Sequence, residues 1–174
     1  MQEPFVEMLR GDTNTLGRAI EVFDAVKQDP SRVQEVFDLY FQPDQWVRLR
    51  SSNVLRRLWR EDPTWVEPFI ARWIDEVSGI DQPSVQWTFA QIVHECSQFF
   101  DQGQMARSLQ IVKGYLQNSD DWIVLNTSIN TLAGAAKDDA SLRAYLLPKL
   151  QKLSTHPKKS VASRAKKSLQ MLRA

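Results

Sequence analysis

"WVRLRSSNVLRRLW", residues 46–59, sets Val47, Ser51, Val54, Leu55 and Leu58 three and four apart, the spacing of one buried helical stripe. The same skeleton returns three times. With Val47, Val85, Val124 and Val161 superposed, at separations of 38, 39 and 37 residues, Val54 falls on Ile92, Thr131 and Ser168. Leu55 falls on Val93, Leu132 and Leu169, and Leu58 on Cys96, Ala135 and Leu172. Ser51, Ser128 and Ala165 share a further column of small residues that Phe89 breaks. A shorter first unit sets Thr15 under Val47 and brings Ala19, Val22, Phe23 and Val26 into register. An amide column of Asn53, Gln91 and Asn130, replaced by Lys167 in the last unit, predicts a hydrogen-bonded ladder between stacked helices.

Between these helices lies a second set: "RVQEVFDLYF", "WVEPFIARWIDEV", "GQMARSLQIVKGYL" and "SLRAYLLPKLQKL". Turn residues separate the segments at 27–31, 41–45, 60–64, 78–84, 100–104, 117–121, 137–141 and 154–160, and no stretch sustains the alternation of a strand. The expected fold is all-α, a single domain of about four helical hairpins with a helix at each end. The units run over 11–43, 44–80, 81–118 and 119–156, with a capping helix over 157–174. One hairpin of two amphipathic helices leaves its apolar stripe wet, so neighbouring hairpins stack. Each must then repeat the same apolar columns, while its outer residues are free to vary.

"LLPKLQKLSTHPKKSVASRAKKSLQML" and "VEPFIARWIDEVSGIDQPSVQWTFAQIV" resemble HEAT repeats. The resemblance lies in a Pro early in the second helix (Pro68, Pro148), a Pro or Asp turn, then a Val, a small residue and a Leu at helical spacing. It covers nearly the whole chain. The Arg that follows the Val in that family stands here only as Arg48, with Gln86, Leu125 and Ala162 in its place elsewhere. Tetratricopeptide repeats fit less well, with their period of ~34 residues and their Trp, Gly and Tyr pattern. The resemblance implies an α-solenoid and a protein–protein interaction scaffold or adaptor. Its alternatives are a nucleic-acid-associated protein akin to HEAT-like DNA glycosylases, or an accessory subunit of an enzyme such as a HEAT-repeat lyase.

Composition narrows the classes further. At 43% apolar and 25% charged, the 174 residues are those of a globular domain. No apolar run approaches the ~18 residues of a membrane span. The start "MQEPFVEMLR" has acids where a signal peptide has bases, so a cytoplasmic protein is expected. A lone Cys96 forms no intrachain disulfide, and it falls in a core column. His94 and His156 lie far apart, and the Glu and Cys near His94 point to other sides of one helix, so no metal set is expected. The six glycines form no phosphate-cradling loop, and no cofactor is expected. Trp122 four residues before Asn126 mimics a glycosylase pairing of aromatic and carboxylate, but a neutral amide does not stabilise a developing cation as a carboxylate does. The chain is expected not to be an enzyme. Trp59 and Trp73 read as core, and Trp46, Trp65, Trp87 and Trp122 as edge or partner contacts.

Charge is polarised along the chain. Residues 1–139 hold all 21 acids and 13 of the 22 Lys and Arg, while residues 140–174 hold nine bases and no acid. The acids cluster in turns, where they serve as helix caps and repel a nucleic-acid backbone. The expected partner is therefore another protein with an acidic surface, docking near the basic C-terminal end; nucleic acid and head-to-tail self-association are the alternatives. Candidate contacts are Arg72, Asp75, Lys113, Lys149 and Lys152 on the second helices, which line the concave side of such arrays, and Lys158, Lys159, Lys166 and Lys167 on the last helix.

Overall fold

Aspartates open several of the helical segments. Asp44 accepts hydrogen bonds from the backbone N–H of Trp46 and Val47, and so starts helix α4, Gln45–Glu61. Asp121 does the same for α8, Trp122–Ala135, through Ile123 and Val124, and Asp139 starts α9, Ala140–Leu153, through Leu142. Asp101 and Gln104 form a reciprocal capping box at the head of α7, Gln102–Asn118. Asp29 and Asp62 cap the 3-10 turns Pro30–Arg32 and Pro63–Trp65. The acids of the turns thus satisfy backbone donors that a helix start leaves unpaired.

The computed structural model describes residues 3–173, and no strand occurs among them. The remaining helices are α1 (Phe5–Leu9), α2 (Ala19–Gln28), α3 (Val33–Asp38), α5 (Ile70–Arg72), α6 (Pro83–Glu95) and α10 (Lys159–Arg173). Two compact units divide the chain between Thr88 and Phe89, inside α6. In the first, α4 is the central helix and packs against α1, α2 and α3. In the second, α8 is central, against α7, α9 and α10, and α9 also packs on α10.

The repeated columns are the core. Val47, Val85, Val124 and Val161 are each fully buried, as are Val54 and Ile92, and Thr131 and Ser168 nearly so. Of the superposed apolar and small-residue positions from 47 to 172, Ala135 alone is only half-buried, and Phe89 fills its small-residue column without exposure. In the shortened first unit Thr15 is an exposed loop residue instead, and α2 begins at Ala19.

The second helices depart from the expected pattern. Over 65–77 no single helix forms: the turns Pro63–Trp65 and Glu67–Phe69 lead into the three residues of α5, then into a π turn, Trp73–Val77, closed by Ser78 N–H donating to Trp73 O at 2.9 Å. Pro68 has no N–H to give and holds the entry in a tight turn. The wider π turn carries the indole of Trp73, wholly buried, with ring centroids 5.3 Å from Phe37 and 6.0 Å from both Tyr40 and Trp59. Pro148 lies past the midpoint of α9 rather than early in it, and the turn there lacks one backbone bond.

Candidate interaction surface

Arginine in the first unit is consumed internally. Arg50 is 1% exposed, yet its guanidinium donates to a set of backbone carbonyls: Nε to Thr15 O at 2.9 Å, Nη1 to Leu9 O at 2.7 Å, and Nη2 to Thr13 O at 2.8 Å. Residues 9–15 therefore wrap a bent loop around one cation. Gly11 (φ +137°) and Gly17 (φ +51°) make the wrap feasible, since a Cβ at either would stand 3.0 Å from the guanidine group. Arg48, the residue after the Val column, donates to Gln82 Oε1 and to Gln42 O, both at 2.6 Å, and Gln82 donates on to Gln45 O, so two turns of the unit are tied together. Ion pairs hold Arg10 to Glu7, Arg18 to Glu3 and Glu21, Lys27 to Glu61, and Arg32 to Glu35.

The candidate contacts separate accordingly. Arg72 is half-buried, paired with Asp38 at 3.1 Å and Glu76 at 3.0 Å, and lies over the Phe37 ring at 4.8 Å; these partners raise its pKa further. It reads as a packing residue. Asp75 is exposed on the π turn. Lys113 and Lys149 each hold their amine 4.7 Å from the Tyr145 ring, from α7 and α9 respectively. Lys152, Lys158, Lys159, Lys166 and Lys167 are exposed, and among the described residues none has a carboxylate in ion-pair range. Lys158 stands 5.0 Å over Trp122, which is 43% exposed and covers the start of α8.

Three clefts open along the wall formed by the end of α6, by α8 and by α10, and His94 lines all of them. The largest, about 400 Å³, has Val93, Met105 and Leu109 as its apolar part. The second, about 240 Å³, gathers His94, Lys137, Arg164 and Lys167 around Asn130 and Met171, with no acid in its lining. The third, about 160 Å³, shares His94, Asn130 and Arg164 and adds Gln91, Glu95 and Asn126. Gly134 leaves room for the His94 ring: a Cβ there would lie 3.1 Å from Cε1 and Nδ1. Lys167 is the one residue of the sequence-derived set that lines these clefts.

The expected amide ladder does not form. Asn53 accepts from Arg57 at 3.0 Å and Asn130 from Arg164 at 3.4 Å, while Gln91 Oε1 and Asn126 Oδ1 are buried with no donor among the described residues. Arginine, with its longer reach, takes the acceptor that a neighbouring amide was expected to use. Asn126 donates to Ser160 Oγ at 3.3 Å, so the Trp122 and Asn126 pair is engaged by α10. Cys96 is buried, and burial pushes its thiol up to about 11.

Sequence reasoning passed over Arg50, Lys137 and Arg164. A register signal was there for two of them: Arg50 and Arg164 both lie three residues after the Val column, at positions where the middle units have Thr88 and Thr127. Fold and surface define a class, an all-helical repeat-patterned protein with a basic, cleft-bearing C-terminal unit. Comparison with family models, with curated proteins and with solved structures returned no match to this chain.

Proposed function

We propose that this chain is a non-enzymatic interaction scaffold of HEAT type, a stack of helical hairpins that acts in the cytoplasm and docks an acidic protein through its C-terminal unit. The contrast in charge compensation carries this reading. Bases of the first unit are spent on its own carboxylates and carbonyls, whereas Lys158 and, on α10, Lys159, Lys166 and Lys167 have none among the described residues. Exposed, uncompensated charge of one sign raises the local concentration of oppositely charged partners and speeds their encounter. α10 pairs this polar side with a dry one: Val161, Ala165, Leu169 and Leu172 are buried. The helix thus closes the core on one face and presents cations on the other.

A catalytic role has little chemical support. The buried thiol of Cys96 is protonated near neutral pH, and Asn126 is neutral and bonded to Ser160. Among the described residues no helix is long and apolar enough to cross a membrane. The test is affinity capture with the whole protein and with a variant carrying Glu at 158, 159, 166 and 167. The scaffold reading expects an acidic protein to be retained by the parent and lost from the variant, with helicity unchanged. Equal retention by both refutes docking through α10. Recovery of nucleic acid in place of protein, abolished by salt, favours the nucleic-acid alternative.

A further inference from the structure

We infer that the acid-free cleft of His94, Lys137, Arg164 and Lys167 is a peptide-docking site, which takes a carboxylate-bearing side chain from an extended acidic segment of a partner protein. The inference rests on the scaffold reading and narrows it to one pocket and one ligand chemistry.

Three observations carry it. Three basic side chains and an imidazole converge on a space of about 240 Å³ whose lining holds no carboxylate, so an anion of side-chain size is the complementary guest. Met171, 40% exposed, offers an apolar wall to the aliphatic stem that carries such a carboxylate. The Arg164 guanidinium is only lightly held, by Asn130 at 3.4 Å, and keeps donors for a bidentate partner.

The choice of a peptide over a nucleic-acid strand comes from inside the chain. Arg50 occupies the same register position in its repeat as Arg164, and shows what an arginine there binds: the carbonyl oxygens of a polypeptide loop, residues 9–15. Beside Arg164 the adjoining cleft holds the amides of Gln91 and Asn126, whose oxygens are buried and have no donor among the described residues. A peptide supplies both carboxylates and backbone N–H groups. A phosphodiester strand supplies acceptors to the cations but no backbone N–H groups.

The test is fluorescence polarisation at low salt, with the whole protein and three labelled probes: oligoglutamate, oligoglutamine and a short single-stranded DNA. Arg164→Gln combined with Lys137→Gln should weaken oligoglutamate binding by about tenfold or more, since each removes a charge-assisted donor. Lys113→Gln with Lys149→Gln removes the same charge from amines that lie on Tyr145, and should change affinity by less than about twofold. Gly134→Leu fills the cleft with every charge intact and should also abolish binding; circular dichroism establishes that each variant is folded. Equal losses from the two charge-neutralising pairs would mean diffuse attraction and overturn the site. So would DNA binding tighter than oligoglutamate. If oligoglutamate fails to bind while partner capture still depends on the α10 lysines, the cleft is refuted and the scaffold reading stands.

Discussion

Arg50 shows how one residue organises a whole loop. Its charge is buried without an ion pair among the described contacts, and carbonyl dipoles of residues 9–15 take the place of a counterion. Arg50→Met keeps much of the volume but takes the donor from the buried Leu9 carbonyl and from the part-buried carbonyls of Gly11, Thr13 and Thr15. It should cost about 3 kcal/mol or more. Chemical denaturation should show a lower midpoint, and hydrogen exchange should show residues 9–17 opening; an unchanged midpoint would mean that water replaces the guanidinium at no cost. Cys96 yields a second residue-scale expectation. Burial, aided by the charge of Glu95, pushes its thiol up to about 11, so little thiolate exists at pH 8. Iodoacetamide should label the folded protein far more slowly than the unfolded one. Because the folded value is raised, the stability tied to this thiol is full below the ordinary thiol range and declines as pH climbs toward 11. Rapid labelling of the native protein would show that the helix end at Cys96 opens.

At the scale of the element, the columns decide what the helices tolerate. Val124 is wholly buried on α8, the helix that meets α7, α9 and α10. Val124→Asp places an unpaired carboxylate among them and should remove several kcal/mol, a large part of a domain's ~5–15 kcal/mol. Full helicity with an unchanged melting temperature would rule out the column alignment. The first helices were legible because a single face must stay dry, which forces Val, Leu and small residues into a period of 3.6, and because Asp at the turns advertises the caps. The second helix of the 44–80 unit was not. Its apolar spacing suits a helix, but Pro68 and the bulk of Trp73 redirect the backbone into 3-10 and π turns, an outcome decided by packing around Phe37 and Trp59. The clefts were illegible for a related reason. Lys137 lies in a turn, Arg164 on α10 and His94 on α6, and only the packing of those elements brings them to one place.

Across the whole molecule, charge and compactness coincide. Residues 1–88 hold 15 acids and ten Lys and Arg, while residues 89–174 hold six acids and 12. One compact unit is therefore net acidic and the other net basic, and the exposed amines of α10 belong to the basic one. If the chain self-associates head to tail, basic unit to acidic unit, the attraction should act over a distance set by salt. The Debye length falls from ~30 Å at 0.01 M to ~8 Å at 0.15 M ionic strength. Sedimentation at the lower ionic strength should thus show a weight-average mass that rises with protein concentration, and at the higher one a monomer. The variant with Glu at 158, 159, 166 and 167 should be monomeric in both, because it reverses the charge of the attracting face and leaves the buried side of α10 untouched. Association that persists at high salt would point to an apolar contact instead. A monomer at every ionic strength would show that the opposite charges of the two units act on other partners and not on a second copy.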